Sequence, residues 1–113
     1  MHYSPQHYFG FEVDIDVAEK LNLDEAFDVY EMSYDDEPFF EGFREHYGIE
    51  PFRFIDTTYE RGGYVQGLSG FEWDRVYLCF APTQTGDDKW VSMVNSLAQA
   101  GIGVIEAHWS ELG

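Results

Sequence analysis

Three carboxylates occupy alternate positions in the segment 11–16, which reads FEVDID: Glu12, Asp14 and Asp16. The positions between them hold Phe, Val and Ile. Because a β-strand points successive side chains to opposite faces, the alternation predicts a strand over residues 8–16 with one apolar face and one carboxylate face. Such a row could ligate a metal ion, transfer protons or imitate a phosphate backbone, and it could also be a solvated sheet face.

The charge spacing of this row is close to that of a nucleic-acid strand. Side chains two residues apart on a β-strand are separated by roughly 6.6 Å. Neighbouring phosphates, measured along the winding backbone, are on the order of 6–7 Å apart. A strand edged with carboxylates therefore offers a DNA-like charge pattern to a protein that binds DNA. Three residues make a short row, so the charge of the rest of the chain must decide how far this hypothesis extends.

The chain is strongly and unevenly acidic. Its 113 residues include 22 acids and 6 bases, a formal net charge of −16. Residues 1–60 hold 16 acids and 3 bases, net −13, whereas residues 61–113 hold 6 acids and 3 bases, net −3. Nucleic acids and anionic membranes are polyanions, so the charge argues against both as direct partners. It favours a basic protein surface, and the open alternative is a charge that serves solubility alone.

The acidic segment continues beyond residue 16, and aromatic residues lie among its carboxylates. Protein interfaces draw most of their binding energy from a few aromatic and Arg anchors, while charge sets the encounter rate. Tyr34, next to Asp35, is the predicted aromatic anchor. The predicted partner-binding residues are Glu12, Asp14, Asp16, Asp24, Glu25, Asp28, Glu31, Tyr34, Asp35, Asp36 and Glu37.

No specific metal site and no cofactor are predicted. Asp14, Asp16 and the run 35–37 offer oxygen ligands for Ca²⁺ or Mg²⁺, but the spaced Asp/Asn, Gly and distal Glu of an EF-hand are missing. Carboxylates that alternate along a strand also diverge from a common centre. The histidines do not follow zinc-motif spacing, and a single cysteine cannot complete a Cys-rich site: they are His2, His7, His46 and His108, with Cys79.

The sequence carries no catalytic motif, so we predict that the protein is not an enzyme. It lacks the glycine-rich phosphate and dinucleotide motifs and the GxSxG nucleophile motif. Cys79 and His108 could in principle form a nucleophile pair, but Cys79 stands in the most apolar segment, where a core thiol is far commoner. Among 22 acids, accidental carboxylate pairs are frequent, so a glycosidase-type pair carries no information.

The first half of the chain predicts a strand followed by helices. Asp16 and Glu19 have capping-box spacing, so a helix should start at Asp16 and run to residues 30–33, with a break near Asn22. A second helix is predicted over residues 37–47, with a proline in its first turn and a glycine at its end.

The second half predicts mainly strands. Residues 51–59 and 64–66 should form a hairpin around a turn at 60–63, followed by a loop at 67–70. Residues 73–81 are apolar on both faces from Val76 on and should form a central strand. A helix over 87–100, capped from Thr85 and ended by Gly101, then leads to a last strand over 102–109. The predicted buried stripe of that helix is Trp90, Val91, Val94, Leu97 and Ala98.

The predicted fold is α+β, a single compact domain over residues 1–113 with the element order β-α-α-β-β-β-α-β. A mostly antiparallel sheet of four or five strands should carry the helices on one face. The strand-helix-strand unit from Val76 to Trp109 leaves open whether it is a parallel crossover or half of a ferredoxin-like arrangement. With no leader sequence, no apolar run of membrane-spanning length and one cysteine, we expect a cytoplasmic protein with nothing cleaved.

These observations favour an acidic inhibitor that occupies the basic, nucleic-acid-binding surface of another protein. One version is a DNA mimic of the kind that phages and mobile elements use against host defence, similar in role to anti-CRISPR proteins. The other is an immunity protein that neutralises a nuclease toxin. The alternative from a different class is a ferredoxin-like module that binds a small molecule or regulates another protein.

Overall fold

The chain forms five strands and four α-helices within the residues that the structure describes, and three of the helices follow one another between the first two strands. The computed structural model describes residues 3–57, 65–72 and 74–112. Its elements are β1 (Tyr3–Glu12), α1 (Ile15–Lys20), α2 (Asp24–Ser33), α3 (Glu37–Tyr47), β2 (Arg53–Asp56), β3 (Val65–Ser69), β4 (Val76–Phe80), α4 (Asp88–Gln99) and β5 (Ile105–Leu112). The predicted α+β class is confirmed. Within the described residues, no helix is both long and apolar enough to cross a membrane.

The strands form one antiparallel sheet in the order β2-β4-β1-β5-β3. β1 is central and pairs with β4 on one side and with β5 on the other. Since both pairings are antiparallel, β4 and β5 run in the same direction, with β1 between them. β1 and β2 likewise run in the same direction on either side of β4. The chain therefore makes two helical crossovers, α1–α3 and α4, and each skips one strand.

The predicted hairpin of β2 and β3 is wrong. β2 pairs with β4 and β3 pairs with β5, so the two strands form opposite edges of the sheet. The proposed turn at residues 60–63 lies outside the described residues. Gly67 and Ser69, predicted as a loop, belong to β3, which has a register irregularity between Val65 and Gly67. The pairing partner of a short strand is decided by the three-dimensional packing of the whole sheet. The local sequence of β2 and β3 therefore did not indicate which strands they pair with.

Local signals located the helices well. The break near Asn22 is present, since Asn22 has a left-handed backbone with φ of 58° between α1 and α2. α3 has the predicted bounds, with Pro38 in its first turn and Gly48 in the left-handed conformation at its end. The cap of α4 is Asp87 and not Thr85, because the Asp87 carboxylate accepts a hydrogen bond from the backbone N–H of Lys89 at 2.9 Å.

The helices pack on one face of the sheet, as predicted. One hydrophobic cluster joins buried residues of all four helices to β1 and β4, among them Ala18, Ala26, Phe43, Leu97, Phe11 and Leu78. The buried stripe of α4 is rotated from the predicted one. Trp90, Met93 and Leu97 are buried, while Val91 is 55% exposed and Ala98 is exposed. The flexible Met93 side chain takes a core position that the sequence pattern had assigned to neighbouring residues.

The opposite face of the sheet has its own smaller core. Tyr8, Ile55, Phe71, Tyr77, Cys79 and Ala107 form this second cluster. The predicted two-sided burial of β4 follows, because Leu78 and Phe80 face the helices while Tyr77 and Cys79 face this cluster. The strand itself is shorter than predicted, and β5 is shifted along the chain, since it spans Ile105–Leu112 instead of residues 102–109. The helices that hold many of the acids thus pack on one face of the sheet, and the smaller cluster covers part of the other face.

Candidate functional site

The carboxylate row of FEVDID does not exist in the fold. β1 ends at Glu12, and Asp14 is the N-cap of α1, where its side chain accepts a hydrogen bond from the backbone N–H of Val17 at 2.8 Å. Asp16 lies in the first turn of α1, and Ile15 is 45% exposed. The capping acid is thus two residues earlier than predicted. Asp14 satisfies an otherwise unpaired helix N–H, and this local gain ends the strand alternation.

Glu12 lies near Asp14 at the end of β1, but its side chain belongs to the sheet face opposite the helices. It shares its strand parity with Tyr8, whose side chain belongs to the cluster on the face opposite the helices. Its carboxylate lies 3.4 Å from the guanidinium of Arg75, which also approaches Glu72 at 3.8 Å. Glu12 is therefore part of a small charge cluster at that end of β4 and does not extend the acidic surface of the helices.

Three acids of α2 and α3 come together along a shallow groove. Glu25 of α2 and Glu41 and Glu45 of α3 line it, and Leu23, Ala26 and Gly42 are among the residues between them. An added Cβ at Gly42 would lie 2.8 Å from a Leu23 methyl carbon, so the glycine permits this close approach of the two helices. We call this feature the α2–α3 groove. We count with it Asp28, an exposed acid of α2 that does not line the groove itself.

Like charges are stacked along both helices. Residues three or four apart are neighbours on a helix surface, and like charges at this spacing are destabilising. The sequence places five such acid pairs on the two helices: Asp24–Asp28, Glu25–Asp28, Asp28–Glu31, Glu37–Glu41 and Glu41–Glu45. Among the described residues, no lysine or arginine lies within ion-pair distance of Glu25, Asp28, Glu41 or Glu45. The segment 14–50 carries 13 acids and 2 bases, a net charge of −11.

The connection between α2 and α3 holds the remaining predicted residues. Tyr34 ends α2 in a left-handed conformation and is 64% exposed. The Asp35 carboxylate accepts a hydrogen bond from the backbone N–H of Glu37 at 3.1 Å. Partial burial raises the pKa of the Asp36 carboxyl above its usual value, a backbone hydrogen bond opposes the shift, and the negative charge of Asp35 adds to it. The fold therefore disfavours ionised Asp36.

An aromatic cleft lies beside this connection, and the sequence reasoning missed it. Its volume is about 320 Å³, within the usual range of ligand pockets. The Tyr30 hydroxyl donates a hydrogen bond to the Asp56 carboxylate inside it, and the Tyr30 and Tyr34 rings meet edge to face at 5.9 Å. The lining residues are Phe27, Tyr30, Glu31, Tyr34, Phe39, Phe54, Asp56 and Val76. They come from four elements, so no contiguous sequence motif predicts the cleft.

The nucleophile pair considered from the sequence is excluded by geometry. Cys79 is fully buried in the cluster on the face opposite the helices. His108 lies on the other face of the sheet, because it pairs directly with His7, whose neighbour Phe9 at the next position but one packs against the helix-face core. Burial also raises the pKa of the Cys79 thiol, so the reactive thiolate is suppressed. Cys79 is a core residue, as expected.

Comparison with protein-family models, with curated proteins and with solved structures finds no match for this chain. The structure gathers several of the predicted acids on α2, α3 and the connection between them, separates Glu12 from them, and adds Glu41 and Glu45, which the prediction did not include.

Proposed function

We propose that the protein is an acidic inhibitor that binds the basic, nucleic-acid-binding surface of another protein through α2, α3 and the residues between them. The observation that carries this proposal is the α2–α3 groove, where exposed acids of two helices converge without ion-pair partners among the described residues. Placing like charges together costs free energy of folding. A basic partner would neutralise these charges, so binding would relieve the electrostatic repulsion that remains in the folded protein.

The helices support a DNA-like charge spacing that the strand does not provide. An α-helix rises about 1.5 Å per residue, so residues four apart are about 6 Å apart along its axis. Glu37, Glu41 and Glu45 stand at this spacing on α3. Neighbouring phosphates along a nucleic-acid backbone are on the order of 6–7 Å apart. A DNA mimic of a phage or mobile element and an immunity protein against a nuclease toxin both use this chemistry, and the partner's identity separates them.

Electrostatic steering should dominate the encounter with such a partner. Charge complementarity raises association rates by about 10- to 1000-fold, and ionic strength weakens the effect steeply. Tyr34, exposed at the end of α2, is the aromatic side chain best placed to anchor the complex. Long-range charge would then set the rate of binding, while a few aromatic contacts would set how long the complex lasts.

The test compares two variants that carry the same change in net charge. The groove variant is Glu25→Gln, Asp28→Asn, Glu41→Gln and Glu45→Gln. The control variant is Glu50→Gln, Glu72→Gln, Asp74→Asn and Asp88→Asn, at exposed acids outside the groove. Each protein is immobilised, basic nucleic-acid-binding proteins are captured from a lysate of the source cell, and their association rates are measured between low and moderate salt.

We expect the groove variant to associate about 10-fold more slowly with a captured partner at low salt, and the control variant to stay near the wild-type rate. Wild-type protein should also displace DNA or RNA from that partner. Equal association rates for the two variants would mean that net charge alone drives binding, and the groove would lose its assigned role. Capture of no nucleic-acid-binding protein by wild type would refute the proposal.

A second candidate function rests on the aromatic cleft. We infer that the two strand-skipping crossovers form a ferredoxin-like core, β1, β2, β4 and β5, to which β3 adds an edge strand. The cleft beside α2 would then hold a small ligand of a regulatory module. Its aromatic walls with Glu31 and Asp56 favour a ligand with a flat apolar body and a cationic group, through ring stacking and charge.

This second candidate predicts saturable binding of a planar aromatic cation, followed by the fluorescence of the dye ethidium as a probe. Tyr34→Ala removes one wall of the cleft and should weaken binding by about 10-fold, the loss of a stacking contact worth roughly 1–1.5 kcal/mol. The groove variant keeps every cleft residue and should bind the dye nearly as well as wild type. Equal weakening in both variants would indicate loose attraction to the acidic surface and refute a ligand site in the cleft.

A further inference from the structure

Two histidines and a glutamate meet on neighbouring strands at the far side of the sheet from the cleft-forming strand β2. β1 and β5 pair so that His7 lies directly opposite His108. Glu106 precedes His108 by two residues, so both side chains lie on the same face of β5. His7 precedes Glu106 by 99 positions and His108 by 101, so the spacing along the sequence does not reveal the group.

The donor atoms of this group lie close enough to share one ion. The His7 Nε2 atom is 2.7 Å and the His108 Nε2 atom is 3.6 Å from Glu106 Oε1, and the candidate ligand atoms of all three side chains lie within 4.8 Å of one another. Bonds from zinc to imidazole nitrogen and carboxylate oxygen are about 2.0–2.2 Å, which puts two ligands of a tetrahedral ion roughly 3.4 Å apart. The present separations bracket that value, and the two imidazole rings, which are parallel within 8°, must tilt toward each other before both nitrogen lone pairs point at one ion.

The His7 Nε2 atom provides an independent sign. It is buried and has no hydrogen-bond partner among the described residues, although Glu106 Oε1 is only 2.7 Å away. The short contact therefore lacks hydrogen-bond geometry. A buried polar atom without a hydrogen bond costs about 1–3 kcal/mol, and the contact with Glu106 is an ion pair only when His7 is protonated. An ion held between the nitrogen and the carboxylate would satisfy both atoms at once.

The surroundings hold the first ligand in place and leave the others accessible. The imidazole rings of His7 and His108 are parallel, with centroids 4.6 Å apart. The Phe9 ring packs 5.0 Å from that of His7 and is itself packed against Trp90, so His7 is fixed from the core side. The side chains of Glu106 and His108 are 53% and 63% exposed. Three protein ligands beside open solvent leave at least one coordination position for an exchangeable ligand.

We propose that His7, Glu106 and His108 form a binding site for a divalent transition-metal ion, with zinc as the ion to test first. Imidazole suits zinc, copper, iron and nickel, whereas carboxylates alone suit magnesium and calcium. The two histidines therefore set this site apart from the general attraction of cations to the acidic helices. The site goes beyond the proposed inhibitor function, because none of its ligands belongs to the α2–α3 groove.

The test is a calorimetric titration of the full chain with Zn²⁺ in the presence of excess Mg²⁺, which occupies loose carboxylate sites. We expect one saturable phase with a stoichiometry of one ion per chain. His7→Ala, His108→Ala and Glu106→Gln should each abolish or strongly weaken this phase. His46→Ala, which removes an exposed histidine of α3, should leave it intact. Zn²⁺ should also raise the melting temperature of wild type and of the His46→Ala variant.

Two further readouts keep the result unambiguous. Urea unfolding of each variant without metal shows whether it still folds, and Glu106→Gln preserves the size of the side chain should a histidine variant fail to fold. The groove variant should bind Zn²⁺ as wild type does. The proposal is overturned if wild type shows no saturable phase above Mg²⁺, if the ligand variants bind as wild type, or if His46→Ala loses the phase equally.

Discussion

Phe43→Ala is expected to lower the free energy of unfolding by about 3–5 kcal/mol, the usual cost of removing a fully buried phenylalanine ring. Phe43 is completely buried, and its ring lies against those of Phe11, Phe80 and Tyr47, with centroids 6.0, 5.6 and 4.6 Å away. It thereby joins α3 to the two central strands β1 and β4. Single domains are stable by about 5–15 kcal/mol, so this change alone could remove most of the stability.

A matched control uses the same substitution at an exposed ring. Phe52 is 60% exposed, and its ring meets that of Tyr8 at 6.0 Å. We expect Phe52→Ala to cost less than about 1 kcal/mol, because little apolar area leaves the interior. Urea denaturation followed by circular dichroism gives both values from the midpoints, provided that the slopes agree. Similar losses for the two variants would contradict the assignment of the buried face of α3.

Phe43 also matters for function, because it lies between the groove acids Glu41 and Glu45 along α3. Gly42 allows α2 to approach, Phe43 fixes the helix to the sheet, and Glu41 and Glu45 then point into the groove. Loosening Phe43 would let α3 rotate or move away from α2. In Phe43→Ala, the loss of stability should therefore be accompanied by a weaker salt dependence of partner binding. This result would distinguish acids that the fold holds in position from a chain that is acidic only in composition.

The sequence predicted those elements whose local signals agree. α3 has acids before it, a proline in its first turn, aromatic residues at helical spacing and a glycine at its end, and its bounds were predicted correctly. In FEVDID two local signals compete, since the alternation extends a strand while Asp14 caps a helix. The cap prevailed because the Asp14 side chain accepts a hydrogen bond from a helix N–H, while the strand-type hydrogen bonding reaches Val13, whose backbone N–H donates to the Val76 carbonyl at 2.8 Å.

Contacts between distant segments were beyond the sequence. The partners of β2 and β3 depend on the whole sheet, and the same is true of the aromatic cleft, to which Tyr30 and Asp56 come from α2 and β2. His7 and His108 meet through strand register alone. The acidic bias, in contrast, is a property of composition, so its concentration on α1–α3 followed once the helices were located. Its geometry, a groove instead of a row, required the packing of α2 on α3.

The second large effect concerns the charge itself, and here neutralising acids should stabilise the protein. The groove variant removes the five like-charge pairs of α2 and α3, worth about 0.2–0.5 kcal/mol each. Part of this gain is lost because Glu25 stands in the first turn of α2, where a negative charge favours the helix by about 0.3–1 kcal/mol. We expect a net gain of about 1 kcal/mol at low salt, which corresponds to a melting temperature about 4 °C higher.

The control variant should move in the opposite direction, since its acids are in favourable places. Glu50 lies 3.6 Å from Arg44, Glu72 lies 3.8 Å from Arg75, and Asp88 is in the first turn of α4. Thermal unfolding measured from low salt to 1 M NaCl also tests how strongly charge repulsion affects the melting temperature of each variant. The Debye length falls to about 3 Å at 1 M, so salt should stabilise wild type and the control variant but have less effect on the groove variant.

The sign of this result decides between the two interpretations of the acidic surface. If the groove acids served solubility alone, acids at any exposed position would do, and nothing would hold them where they repel one another. A groove variant that is more stable than wild type yet slower to bind would show that these acids trade stability for association, as expected of a binding surface. If neutralisation leaves the melting temperature unchanged or lowers it, the acids are compensated within the fold, and the main physical support for the inhibitor proposal is removed.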